Sequence, residues 1–263
     1  MRNMDFLKEF YEQYDEDARL LSRCGQVEYL TTMKYIEKCL SEFSDPKILE
    51  VGAGTGRYSV TLAKQGRDVT AVELVAHNIE ILKSKLDGTE RISAVQGNAL
   101  DLSAFSDAEF DVTMLLGPMY HLYTEADKLR ALSEAVRVTK PGGYILVAYC
   151  MNESTVVQYA FLKGNLQRVI DDGLLAPDWH CKSSPKEVFE LVRTEDISAL
   201  DAAFPVERVK LVAADGMTYY IKEKIDEMDA DTFSKWLNYH FATCERQDLI
   251  GASNHTLDIL RKI

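Results

Sequence analysis

This 263-residue chain is missing several features, and each absence closes a class of function. No apolar run approaches the roughly 20 residues that cross a bilayer. The start, "MRNMDFLKEFYEQYDEDARLL", is acidic and amphipathic and has no apolar centre of the kind a secretory signal carries. The expectation is a cytoplasmic chain with no membrane span. Positive charge is not in excess either: 30 Lys and Arg against 42 Asp and Glu leave a formal net charge of −12. That balance argues against nucleic acid as a partner, because the phosphate backbone demands a basic face. No CxxC pair occurs, and the five cysteines (Cys24, Cys39, Cys150, Cys181, Cys244) are odd in number. They read as free thiols in a reducing compartment. Internal repeats and low-complexity tracts are absent too.

What the chain does have is a strong alternation of apolar runs and amphipathic stretches. Residues 1–45 place Phe6, Leu7, Phe10 and Tyr14, then Leu30, Met33, Tyr35, Ile36 and Leu40, at helical spacing. "SDPK" breaks that pattern, and from Ile48 strands alternate with helices. Strand "KILEVG" precedes a helix over 55–65, and "DVTAVEL" precedes one over 76–86. "RISAVQGNA" and "FDVTMLLG" follow as strands, and a helix over 124–139 ends at "TKPGG" before strand "YILVAYC". Such alternation implies a parallel sheet with helices on both faces. After Cys150 the rhythm changes. Residues 151–203 read as mostly helical, "FPVERVKLVAADG" as a strand, 221–246 as a helix with Trp236, Leu237 and Phe241 on one side, and "SNHTLDILRK" as a last strand. The expected organisation is a helical cap over 1–45, a sheet core over 46–150 and a helical insertion over 151–203. The rest of the sheet follows over 204–263, with its own helical insertion over 215–252.

Between the first strand and its helix stands "ILEVGAGTGRY", with glycines at 52, 54 and 56. Glycine raises the entropy cost of folding, so three at alternate positions require a tight turn or a close ligand. A strand, a glycine turn and a helix form the geometry of a nucleotide-binding βα unit. Counting from Gly52 and Gly54, a dinucleotide fingerprint puts its third glycine at position 57, where this chain has Arg57. A bulky side chain there argues against a nicotinamide dinucleotide. Glu50, two residues ahead of the first glycine, suits a cationic ligand better than a pyrophosphate.

The stretch "ILEVGAGTGRYSVTLAKQGRDVTAVEL" resembles the first motif and second strand of class I S-adenosylmethionine-dependent methyltransferases. It is most similar to the small-molecule branch that includes ubiquinone- and menaquinone-biosynthesis-type enzymes. The resemblance runs on through "VQGNALDL", "FDVTMLLGPMYHL" and "EAVRVTKPGGYILVAY" and so covers roughly residues 46–150, the span of one domain core. It implies a doubly wound, Rossmann-like α/β fold: a mostly parallel seven-stranded sheet with an antiparallel last strand, plus helical cap segments. It implies S-adenosylmethionine as methyl donor and S-adenosylhomocysteine as product. The cofactor contacts it implies begin with Gly52, Ala53, Gly54 and Gly56, where the backbone approaches the methionine and ribose portions. Glu50 organises that loop and meets the α-amino group; Glu73 accepts the ribose hydroxyls. Leu74 packs on the adenine face, Asn98 and Ala99 meet its edge, and the Leu116 carbonyl faces the ammonium. Many relatives have aspartate where this chain has Asn98, which still accepts through its carbonyl oxygen.

Methyl transfer from a sulfonium is an in-line displacement in which the protein mainly aligns the acceptor and excludes water. A base is needed only where the acceptor carries a proton that must leave. The expected acceptor is therefore an unidentified small molecule. "LLGPMYHLY" lacks the Asn- or Asp-Pro-Pro-aromatic run of enzymes that methylate adenine or glutamine amides, which counts against DNA. Catalytic candidates are few: His121 as an orienter rather than a base, Tyr120 beside it, and Tyr14 with Tyr11 and Arg19 on the N-terminal helix, placed to close over the site. Trp179 and His180 read as surface-loop residues, and Tyr219 and Tyr220 as cap packing. His240, Cys244 and His255 with Asp215 show no metal-ligand spacing on one turn, so no metal is expected. The alternative to an enzyme is a catalytically silent S-adenosylmethionine-binding or regulatory module.

Overall fold

In the computed structural model, which describes residue 6 and residues 16–263, the sheet order follows directly from the strand sequences. Strands β1 (Lys47–Val51), β2 (Asp68–Glu73), β3 (Ile92–Gln96), β4 (Phe110–Leu115) and β5 (Thr139–Met151) pair in parallel in the order β3-β2-β1-β4-β5. β1, β4 and β5 are almost continuously apolar because helices cover both faces of the sheet. β7 (Val206–Ala213) and β8 (His255–Lys262) complete it, with β8 inserted antiparallel between β5 and β7. The mostly parallel seven-stranded sheet with an antiparallel last strand is present. A two-residue strand, β6 (Leu191–Val192), pairs with the end of β5 as an eighth. Two residues are too short a run to carry a strand pattern in the sequence.

Helix α1 (Glu16–Leu21) leads into α2 (Arg23–Leu40), whose start is capped by the Ser22 side chain accepting from Gly25 N–H. Met33, Tyr35, Ile36 and Leu40 face the core as their spacing requires, whereas Leu30 stays exposed. Helices α3 (Arg57–Lys64), α4 (Ala76–Ser84) and α5 (Glu125–Val138) are the crossovers of the parallel strands. α3 buries Tyr58, Val60, Leu62 and Ala63, the residues that gave it helical spacing. β5 begins at Thr139, earlier than "YILVAYC", because the chain continues through "TKPGG" as a strand beside β4, with a register shift between Phe110 and Val112.

Beyond β5 the helical expectation is only partly met. Residues 151–203 hold short pieces: α6 (Asn152–Thr155), a π-helical stretch Val156–Leu162, α7 (Leu166–Asp171) and, after an irregular run and β6, α8 (Thr194–Asp201). The pieces are short, and the first changes from α to π geometry at Val156. The helix expected over 221–246 is split into α9 (Lys222–Asp226) and α10 (Ala230–Thr243), since Asp229 accepts from Thr232 N–H and starts a new helix. Trp236 and Leu237 pack with Phe233, Ile225, Cys24 and Val27, a cluster that fixes α10 and α9 against α2. No described helix is long and apolar enough to cross a membrane. Tyr11 and Tyr14 lie outside the described residues.

Candidate functional site

After β1 the chain turns outward to β2 and β3, then returns past β1 to β4, so the carboxyl ends of β1 and β4 flank a crevice. A cavity of about 320 Å³ opens there. Its rim is the glycine loop after β1, its sides are Glu73–Val75 after β2 and Gly97–Leu100 after β3, and its far wall is Leu116–Tyr123 after β4. Ala148, Ala214 and His255–Leu257 close it from the antiparallel side, and Arg19, Leu20 and Glu28 cover it from the N-terminal helices. All ten residues expected to contact the cofactor line this cavity except Gly56, which shapes the loop behind it.

The loop's conformation explains its glycines. Gly52, at φ +76°, has no room for a Cβ, which would meet the Pro118 ring at 2.7 Å. Gly56, at φ +86°, opens α3, and a Cβ there would strike Leu82 and Val60. Gly56 thus lets the Leu82 side chain of α4 pack against the start of α3. Arg57 sits one position further on and is free to line the cavity, its guanidinium 4.5 Å from the centre of the Tyr29 ring.

Two carboxylates hold the loop. Glu73 accepts from Gly54 N–H at 2.8 Å, Val75 N–H at 2.9 Å and the Asn78 amide at 3.3 Å. Glu50, fully buried, accepts from the backbone and the hydroxyl of Ser59 in the first turn of α3. Burial pushes the Glu50 carboxyl up to about 8, against the pull of the Ser59 bonds. The Lys85 ammonium adds a bond to Thr55 O at 2.8 Å. Asn98, in contrast, spends its side-chain oxygen on Leu100 N–H at 3.0 Å, an Asx turn within the loop after β3. The Leu116 carbonyl accepts from the Tyr120 hydroxyl at 2.8 Å.

His121 lies in the far wall, and its Nδ1 stands 2.9 Å from Val188 O. Facing a carbonyl, Nδ1 carries the proton. Burial lowers the imidazole to about 4, so the ring is neutral. Tyr123 donates to the same carbonyl at 2.6 Å, and Glu190 N–H donates to Tyr120 O at 2.8 Å. With the Lys128–Glu190 ion pair, these bonds clamp residues 188–190 against the wall. They hold Val188 at φ +68°, a strained value for a β-branched residue. Nothing in the spacing of His121 announces a partner 67 residues away.

Behind this wall lies a second cavity of about 580 Å³, built from the 150–191 segment with Tyr219, Asn254 and His255. Arg19, Tyr120 and His255 line both cavities. At this boundary a charged cluster forms that chain spacing did not reveal. His255 Nδ1 lies 2.6 Å from Asp215 Oδ2 and 3.2 Å from Glu28 Oε2, and Arg19 bonds Glu28 through both terminal nitrogens and Tyr219 through one. Asp215 is fully buried, its other oxygen accepting from Ser253 Oγ and from the N–H groups of Asn254 and His255. Burial works against charge on Glu28, yet Arg19 and His255 hold its carboxyl down at about 2. Burial likewise opposes the imidazolium, but Glu28, Cys150 and Asp215 together raise His255 well above its ordinary value. The ligand atoms of Glu28, Asp215 and His255 come within 4.8 Å of one another, which the spacing argument against a metal could not foresee. Here the Arg19 guanidinium and the backbone donors on Asp215 already supply the counter-charge. His240 and Cys244 stand apart from the cluster: a Cβ on Gly216 would meet the His240 ring, and Cys244 Sγ lies 3.5 Å from the Tyr35 hydroxyl. Trp179 is exposed and packs on Phe161, and neither it nor His180 lines either cavity.

Residues 49–147 match the methyltransferase domain family. Over 216 residues the chain is 29% identical to a demethylmenaquinone methyltransferase of Clavibacter sepedonicus, covering 81% of this chain and 72% of that one. It spans about half the length of several other curated relatives it matches. Among solved structures, a possible histamine N-methyltransferase from Thermotoga maritima superposes with a TM-score of 0.62 at 20% identity, covering 98% of this chain and 99% of the other. The N-methyltransferase NodS from Bradyrhizobium japonicum, solved with S-adenosylhomocysteine, does so with a TM-score of 0.57 at 15% identity, covering 99% and 97%.

Proposed function

We propose that the chain is a class I S-adenosylmethionine-dependent methyltransferase, in which the donor occupies the strand-end cavity while a small-molecule acceptor enters through the adjoining one. The observation that carries this placement is the meeting of the two cavities at Arg19, Tyr120 and His255. A cofactor-sized space beside an acceptor-sized one, with three side chains lining both, suits methyl transfer better than it suits a silent binding module.

When bound, the donor supplies an electrophilic methyl group on a positively charged sulfur. The chain's own groups do the rest. Glu73 keeps one lone pair beyond those spent on Gly54, Val75 and Asn78, and it accepts the two ribose hydroxyls there and in place of the longer 3.3 Å Asn78 bond. Backbone at Gly52, Ala53 and Gly54 approaches the amino-acid portion, and Glu50 faces its ammonium. Leu74 covers the adenine. With Asn98 committed to its turn, the Ala99 N–H reads the adenine edge. Leu116 shares its carbonyl between Tyr120 and the ligand. His121 orients the wall, because a neutral imidazole lowered to about 4 is a poor proton acceptor at neutral pH. The α1–α2 corner, held by the Arg19–Glu28 bonds, excludes water from above.

Titration calorimetry on the full chain with S-adenosylmethionine, S-adenosylhomocysteine and NAD(H) tests the reading. The first two bind and the dinucleotide does not. Binding of NAD(H) with no response to either methionine-derived ligand would sink it. Radiolabelled methyl transfer to pools of amines, phenols, thiols and carboxylates then identifies the acceptor.

A further inference from the structure

One cation at the donor cavity has no carboxylate partner among the described residues. Arg19, Arg57 and His255 all line that cavity. Arg19 is spent on Glu28, and His255 on Asp215 and Glu28. Arg57 forms no such pair, although the cavity also holds carboxyl groups. Glu50 accepts from Ser59, Glu73 from Gly54, Val75 and Asn78, and Asp127 from Thr124. The Arg57 Nε is moreover buried and meets no acceptor. A buried donor left so is destabilising, and a cavity wall is where a ligand can bring the missing acceptor.

The guanidinium is nevertheless held in place. It lies 4.5 Å from the centre of the Tyr29 ring. Thr61 donates its hydroxyl proton to Arg57 O at 2.8 Å, so the Tyr29 hydroxyl donates to Thr61 Oγ1 at 3.0 Å. The Tyr58 ring stands 5.3 Å from that of Tyr29. Helix α2 thus sets a fixed aromatic ring against the first residue of α3, directly after the glycine loop.

We infer that Arg57 holds the carboxylate of the donor's amino-acid portion and so tells the donor from its decarboxylated form. The inference rests on the placement of the donor proposed above. That portion carries two opposite charges, and the cavity offers each a partner. Glu50 and the Leu116 carbonyl suit the ammonium, and Arg57 suits the carboxylate. A planar guanidinium meets a carboxylate through two parallel N–H bonds while its face stays on an aromatic ring. A decarboxylated ligand leaves the Nε proton buried without an acceptor. A site built to bond a polar group rejects the analogue that lacks it.

Calorimetric titration of the full chain with three ligands tests this. They are S-adenosylhomocysteine, S-adenosyl-3-thiopropylamine, which lacks only the carboxylate, and 5′-methylthioadenosine, which lacks the whole amino-acid portion. The native chain prefers S-adenosylhomocysteine to the amine by about tenfold or more, the scale of a charge-assisted bond. Arg57→Met, which keeps an apolar stem beside Tyr29, cuts that preference to about threefold or less and leaves methylthioadenosine affinity unchanged. Arg57→Lys retains part of the preference, because a point charge remains without the fork. A native chain that binds S-adenosylhomocysteine and the amine alike overturns the inference without any variant. So does an Arg57→Met chain that keeps the native preference, or one that loses affinity for all three ligands equally, which would make Arg57 a brace of the loop. Failure of S-adenosylhomocysteine to bind the native chain removes the donor site itself.

Discussion

The two cavities share three residues and differ in almost everything else. The donor cavity is framed by backbone: a glycine loop, strand ends and four carboxyl groups at Glu28, Glu50, Glu73 and Asp127, with two arginines and His255. The second cavity is framed by side chains from short helices and an irregular run, and its walls are largely apolar. The carboxyl groups of the first suit a ligand with an ammonium and a sulfonium. The difference teaches where each kind of recognition is stored. A cofactor site rests on strand ends that the parallel sheet fixes, while an acceptor site rests on inserted segments that vary without disturbing the sheet.

The largest expected effect falls on the donor side alone. Glu73→Ala removes a brace of Gly54 and the acceptor of two ribose hydroxyls, and charge-assisted bonds are worth about 1.5–3 kcal/mol each. S-adenosylhomocysteine affinity should fall by about 30-fold or more in calorimetry, before water compensates. Unchanged affinity in a folded variant would take Glu73 out of the site.

The next effect is a pH dependence with a definite sign. With its carboxyl at about 8, Glu50 is mostly protonated at pH 7 in the free protein. Ionising it against a ligand ammonium releases a proton, so affinity rises with pH between about 6 and 8, by at most about tenfold per pH unit. Calorimetry in two buffers of different ionisation heat reads that proton directly. Glu50→Gln flattens the dependence, and a flat profile in the native chain would separate Glu50 from ammonium recognition.

A smaller effect is expected at the shared wall. His121→Gln keeps a donor toward Val188 O, so kcat falls by less than the ~100-fold that losing a general base costs. Because burial holds the ring at about 4, the native pH–rate profile shows no limb near the ordinary histidine value of about 6.5. A limb at that pH that vanishes in the variant would make His121 the base. The smallest effect is in dynamics. Residues 16–25 and 152–171 cover the two cavities and should gain hydrogen-exchange protection with S-adenosylhomocysteine. Equal protection with and without ligand would show a fixed cover.

The legibility of the sequence follows the same divide. The donor half could be read because its contacts are local: "ILEVGAGTGRY" encodes the turn, and Glu73 ends the next strand, where Gly54 N–H reaches it. Arg57, standing where a dinucleotide fingerprint has its third glycine, lines the cavity. The acceptor half could not be read because its contacts are long-range. His255 meets Asp215 across 40 positions, Arg19 reaches Tyr219 across 200, and Val188 is pinned by His121 and Tyr123 from another element. No periodicity records such meetings. In the sequence His255 and Asp215 stood out only as members of a metal candidate set aside for want of ligand spacing.

The account stands or falls on whether the two cavities do jointly hold donor and acceptor. A structure of the full chain with S-adenosylhomocysteine tests this most directly. The account predicts the ribose hydroxyls on Glu73, the amino-acid portion along Gly52–Gly54 and the sulfur facing the boundary of Arg19, Tyr120 and His255. A ligand bound elsewhere, or one whose sulfur points away from the second cavity, would contradict it.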